Sequence, residues 1–414
     1  MNPNLKKLKP YPFERLARLK AGIEPPAGLD HIALSIGEPQ HEPPRFVLDA
    51  LDRHRAGLAA YPQAHGLASL REAAAAWLTR RFNLLADESA MELAMESARG
   101  IDPATQVVPV SGTREGLFSF VQAAVDATVP RSEPPLVLMP NPFYQIYEGA
   151  AYLAGAEPFY LNTTAETGFL PDIDSIDDAT WQRCRVLFIC TPGNPTGAVM
   201  DEAFLERLIA LSDKHDFIIA SDECYSELYY DEENPPPGLL GVCAKIGRHD
   251  FRNCVVFHSL SKRSNVPGMR SGFVAGDADI MAGYLLYRTY HGCAMPLPAQ
   301  HASIEAWNDD AHVAANRALY RQKFDRARDI LGDIIELEIP PAAFYLWLKT
   351  PIDAEEFVRR LYAEQNLTLL PGTYLSRETP QGDPGKNRVR ISLVPDVEKC
   401  EQALLRIRNF IESL

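Results

Sequence analysis

The sequence predicts an α/β fold, a large domain built on a mostly parallel sheet flanked by helices, followed by a smaller α+β domain. Two observations carry the large domain. Short apolar runs that end in Gly, Pro, Asn or Asp recur through the middle of the chain: VVPVSG, LVLMPNP, RVLFICTPGNP, FIIASDE and VVFHSLS. Such near-continuous runs are what strands buried on both faces of a parallel sheet require. Between the third and fourth, DEAFLERLIALSDKH sets Phe204, Leu205, Leu208, Ile209 and, less regularly, Leu211 at helical spacing, as a crossover helix needs. The third observation is the change of pattern after residue 300: a charged helical stretch, a strand in FYLWLK, a helix in DAEEFVRRLYAEQ, a strand in NRVRISL and a closing helix. That last helix gathers Cys400, Leu404, Ile407 and Ile411 on one face. The Pro-rich segments at 24–44 and 235–237 read as loops. Residues 1–45 are read as an N-terminal arm joined to the small domain, 46–295 as the large domain and 296–414 as the small one.

Composition narrows the function. Forty-one basic against 55 acidic residues leave a net charge of −14, the opposite of a nucleic-acid binder. The seven cysteines include no C-x-x-C pair, so no metal site and no disulfide framework is expected. No run approaches the ~20 apolar residues that cross a bilayer. A soluble, cytoplasmic protein without nucleic-acid or membrane partners is expected.

The most informative stretch is SLSKRSNVPGMRSG, residues 259–272. Lys262 follows an apolar strand and a turn, where burial and nearby cations lower an amine pKa and make it a nucleophile toward carbonyls. The hydroxyls of Ser259 and Ser261 and the guanidinium of Arg270 suit a phosphate, which arginine grips at two points. Lysine plus phosphate cradle describes pyridoxal 5′-phosphate; the alternative is a solvated basic turn. Asp222, directly after an apolar strand, can pair a protonated pyridine nitrogen, or simply cap the next turn. Tyr225 and Asn194 can donate to a phenolic oxygen, although N-P-T-G alone is a turn. Ser111, Gly112 and Thr113 open a helix after a strand, where backbone amides attract phosphate.

In order along the chain, S-G-T, P-F-Y, N-P-T-G, D-E-C-Y, S-L-S-K and R-S-G resemble the fold type I pyridoxal-phosphate enzymes, specifically the class I and II aminotransferases. The resemblance covers nearly the whole chain. It implies a seven-stranded sheet in the large domain and a covalent link between cofactor and Lys262. It further implies that Asp222 pairs the pyridinium, that Asn194 and Tyr225 contact the phenolic oxygen, and that Ser111, Gly112, Thr113, Ser259, Ser261 and Arg270 hold phosphate. Tyr144 of NPFYQIY matches the aromatic stacked on the cofactor ring, with Phe143 the weaker match. Arg390 matches the arginine that binds the substrate α-carboxylate, with Arg388 two residues away as competitor. Gly37 of SIGEP matches a glycine beside the substrate. Tyr61 matches a tyrosine that reaches the neighbouring subunit's cofactor phosphate, which implies a homodimer.

Within the family, DECYSELYYDE, SLSKRSNVPGMRSGFVAGD and YRTYHGCAMPLP are similar to the proteobacterial succinyldiaminopimelate aminotransferases of lysine biosynthesis. That similarity implies exchange of an amino group between N-succinyl-LL-2,6-diaminopimelate and 2-oxoglutarate. Both are polyanionic, so a further cation is expected from Arg288 or His291, unless Arg288 makes a structural ion pair. The rivals are another aminotransferase of this class, acting on aspartate, alanine or LL-diaminopimelate, and a cystathionine β-lyase-like enzyme.

Overall fold

The computed structural model of the protein describes residues 1–85, 100–126, 128 and 133–414. Its strands are β1 (Ile32–Ala33), β2 (Val107–Val110), β3 (Leu136–Asn141), β4 (Glu157–Asn162), β5 (Cys184–Cys190), β6 (Ile218–Asp222), β7 (Cys254–Ser259), β8 (Gly272–Gly276), β9 (Tyr345–Lys349), β10 (Leu367–Thr368), β11 (Leu370–Pro371) and β12 (Arg388–Ser392). Seven form the main sheet, in the order β2-β8-β7-β6-β5-β3-β4. The strands from β3 to β7 are mutually parallel, and β8 runs antiparallel to both its neighbours, β2 and β7. Val186, Leu187, Phe188 and Ile189 of β5 are fully buried, as helices on both faces demand.

The crossover helix spans Glu202–His215. Its N-cap Asp201 accepts a hydrogen bond from the Phe204 amide at 2.8 Å, and Asp216 ends it in the left-handed conformation. Leu205 and Leu208 are removed from solvent against the sheet, each worth about 2 kcal/mol of transfer free energy.

In the smaller unit, β11, β12 and β9 form an antiparallel sheet covered by the helices Ala354–Gln365 and Val397–Glu412. The arm belongs here too: β1 pairs with β10, and Leu16 lies in the same core. The large core extends past the expected boundary at residue 295. Ala299, Ala302, Ala306 and Trp307 of the helix Leu297–Asn308 pack into it, whereas Phe324, Ala327 and Leu331 of the next helix, Ala311–Leu331, belong to the smaller core. The division therefore falls after Leu297–Asn308, because a row of small side chains lets that helix lie close to its neighbours. Among the described residues no helix is long and apolar enough to cross a membrane.

Candidate active site

The carboxyl ends of β5, β6 and β7 meet the arm and the smaller unit around a cleft of about 520 Å³, the usual place for a ligand on such a sheet. Ser259 closes β7 and caps the short helix Leu260–Arg263, its hydroxyl accepting from the Ser261 amide at 3.1 Å. This turn aims Lys262 into the cleft, where its Nζ donates to the Gly37 carbonyl at 2.7 Å. Burial brings the amine down to about pH 8; the guanidinium groups of Arg390 and Arg270 push the same way, against Cys224 and Glu38. At Gly37 a Cβ would come within 2.1 Å of the Tyr345 hydroxyl, so any larger residue would have to displace that ring.

Asp222 ends β6 and is buried on the cleft wall. Its carboxylate accepts from the Tyr147 hydroxyl at 2.6 Å and the Cys224 amide at 3.3 Å, both neutral donors. Burial raises its pKa, disfavouring the ionised form unless a cation is brought against it. Tyr225 shares a 2.8 Å hydrogen bond with Tyr345. The Asn194 side-chain oxygen accepts from Arg390 at 2.9 Å, which leaves its amide NH₂ to donate. Arg390 also donates to the Ser35 carbonyl at 2.7 Å and lies over the Tyr345 ring, while its buried Nε has no hydrogen-bond partner. Arg388 is not a competitor. It donates to the Trp347 carbonyl and lies over Phe169, and it does not line the cleft.

At the phosphate end, Thr113, Ser259, Ser261 and Arg270 line the cleft. Arg270 adopts the left-handed backbone conformation and donates only to carbonyls, those of Pro267 and Ser111. Ser111 and Gly112 stand behind it rather than on the wall. Ser111 supplies that carbonyl, and at Gly112, with φ +81°, a Cβ would sit 2.2 Å from an Arg270 guanidinium nitrogen. Tyr144 lines the cleft, whereas Phe143 is core, stacked on Tyr160. Tyr61 is fully exposed on the single chain.

Arg288 requires a correction. It is fully buried, pairing with Glu115 and donating to the Cys293 carbonyl and the Tyr284 hydroxyl, with no face toward the cleft. Its helix, Ala278–His291, packs on Thr113–Ala124, and the guanidinium neutralises a carboxylate there. His291 lies beside the same Glu115. The cleft cation that the sequence analysis missed is Arg114, next to Thr113. It lines the cleft with its guanidinium 5.4 Å from the centre of the Tyr11 ring. Tyr147 and Tyr345, which hold Asp222 and Tyr225, were also missed; both lay in segments already read as NPFYQIY and FYLWLK.

The charges are complementary to one kind of ligand. Among the described residues, Arg270, Arg390 and Arg114 have no carboxylate partner, and Asp222 has no ion-pair partner. Pyridoxal phosphate with an amino acid would fit this charge pattern, with a phosphate to meet Arg270, a ring nitrogen to meet Asp222 and carboxylates to meet Arg390 and Arg114.

Comparison with known proteins agrees. The family described as "Aminotransferase class I and II" matches residues 30–407. An LL-diaminopimelate aminotransferase from Nitratidesulfovibrio vulgaris is 34% identical over 409 residues, covering 97% of each chain. The solved structure of an aminotransferase from Neisseria meningitidis is 46% identical, with a TM-score of 0.90, over 98% of this chain and 99% of that one. A probable N-succinyldiaminopimelate aminotransferase from Thermus thermophilus is 27% identical, with a TM-score of 0.81, over 96% and 100% of the two chains.

Proposed function

Because the chain belongs to the class I and II aminotransferase family, whose members use pyridoxal phosphate, we propose that it transfers the amino group of N-succinyl-LL-2,6-diaminopimelate to 2-oxoglutarate. The products are N-succinyl-2-amino-6-oxopimelate and glutamate. One observation carries the choice of a long polyanionic donor: Arg390 and Arg114 line one cleft, and neither is neutralised by a carboxylate among the described residues. Arg390 suits the α-carboxylate that donor and acceptor share, and Arg114 the second carboxylate that both carry.

The cofactor, when bound, supplies an electron-withdrawing ring for the bond pair left at the substrate α-carbon. Asp222 would keep the ring nitrogen protonated, and Asn194 and Tyr225 would donate to the phenolic oxygen. With its amine poised near pH 8, Lys262 is neutral often enough to take the proton from the substrate α-carbon and charged often enough to give one back. Tyr144 and Tyr11 line the same cleft and would help to exclude water from it. We further infer a homodimer in which Tyr61, fully exposed on the single chain, completes the partner's site. A sedimentation mass of two chains is expected; a single-chain mass would exclude it.

A second reading, free LL-diaminopimelate as donor, is favoured by the names of the relatives near 34% identity. A panel of donors with 2-oxoglutarate, scored by glutamate formed and by pyruvate from sulfur-containing donors, separates the readings. The succinylated donor should exceed the free diamino acid in kcat/KM by about tenfold, ~1.4 kcal/mol. The reverse order would establish the second reading, and pyruvate release without glutamate would indicate a lyase.

A further inference from the structure

We propose that a second chamber, bordering the cleft behind the N-terminal arm, is an acyl subsite that takes the carboxylate-bearing tail of an N-acylated donor. The proposal rests on the donor assignment made above. The chamber has a volume of about 190 Å³ and borders the cleft, with Tyr11, Pro12, Arg114 and Gln145 lining both, which puts it next to the end of a molecule anchored at Arg390. Leu8, Phe118, Ile146 and Tyr374 give it apolar walls suited to short methylene groups.

Its charge is one-sided. Glu148, the carboxylate on its wall, is held by Arg377 through two hydrogen bonds of 2.7 and 2.6 Å, and that pair cancels itself. Lys9 and Arg114 remain without an ion pair among the described residues, Arg15 being already engaged by Glu355. Arg15 lies over the Tyr374 ring and donates to the Thr373 carbonyl, with Glu355 3.6 Å away. A free diamino acid would bring its distal ammonium toward these cations. Acylation removes that charge and, with a dicarboxylic acyl group, replaces it by a carboxylate they attract. The chamber therefore discriminates by repulsion of the free amine as well as by attraction of the acylated one.

Gly149 provides the test. It lies on the chamber wall within the helix Ile146–Leu153, and a Cβ there would have its nearest neighbour, Leu8 Cδ2, at 3.7 Å. Gly149→Leu therefore adds bulk at a wall position where the Cβ itself is accommodated, and improves helix propensity. In the holoenzyme, the ratio of kcat/KM for N-succinyl-LL-2,6-diaminopimelate to that for LL-diaminopimelate should fall about 30-fold, as for other steric losses in a pocket. Lys9→Glu, a change in the exposed arm, tests the same site by charge. It should raise KM for the succinylated donor about fivefold and leave kcat nearly constant. If the wild-type enzyme prefers the succinylated donor and neither variant alters the preference, the acyl group lies elsewhere; the subsite is then wrong and the donor assignment stands. A wild-type enzyme without that preference overturns both.

Discussion

Lys262→Ala is expected to lower the rate of transamination by about 10⁴-fold, the upper end of what a positioned proton-transfer group contributes. Among the described residues Lys262 is the one lysine on the cleft wall. Its amine is aimed by the turn after β7 and held at 2.7 Å by the Gly37 carbonyl. No other amine among the described residues lies in position to replace it. The substitution removes a cation that burial disfavours, so the fold should survive, and a circular dichroism spectrum like that of the wild type is the control. Partial recovery with added small primary amines would show that the missing group is a base. A variant retaining a tenth of the wild-type rate would remove Lys262 from the reaction.

Asp222→Asn is expected to reduce the single-turnover rate by about 10³-fold, the scale of losing one preorganised charge in a water-excluded site. The asparagine oxygen can still accept from Tyr147, so packing and cofactor affinity should change far less than rate. On the proposed mechanism, what disappears is the charge that would keep the ring nitrogen protonated. The pKa of the Asp222 carboxyl is raised by burial in the protein alone, and a cationic ring nitrogen lowers it again. The wild-type holoenzyme should therefore hold Asp222 ionised to lower pH than the apoenzyme does. A single-turnover rate within threefold of the wild type would contradict the assignment, whatever the affinity.

The sequence announced the site where chemistry coincides with strand ends. Asp222, Asn194 and Ser259 each follow an apolar run long enough to be a buried strand, and Lys262 comes three residues after Ser259. Strands without such a run were not legible. β8 is GFVAG, bounded by glycines and resembling a loop, and β4 is an edge strand whose side chains are mostly half exposed. Arg288 and Arg114 show the other limit. Arg288 stands 173 positions from the carboxylate that claims it, and no spacing rule reveals that pair. Arg114 was visible in SGTREG, but only the tertiary arrangement shows that it faces the cleft beside Tyr11 while the adjacent Glu115 turns to Arg288. Arg388 and Arg390 stand two residues apart on β12, a spacing that gives them the same face, and packing on Phe169 and Tyr345 respectively decides between them.

Lys323 offers a demanding comparison for Lys262. It is fully buried, and burial likewise brings its amine down to about pH 8, but it is held by His41 and the carbonyls of Leu393 and Val394, away from the cleft. Lowered basicity alone therefore does not single out the reactive lysine, whereas geometry does. The decisive measurement is borohydride reduction of the holoenzyme, followed by mass mapping of the peptide that carries the cofactor. Cofactor fixed to Lys262 in stoichiometric yield is the expected result, and cofactor on Lys323 or any other lysine would contradict the site described here.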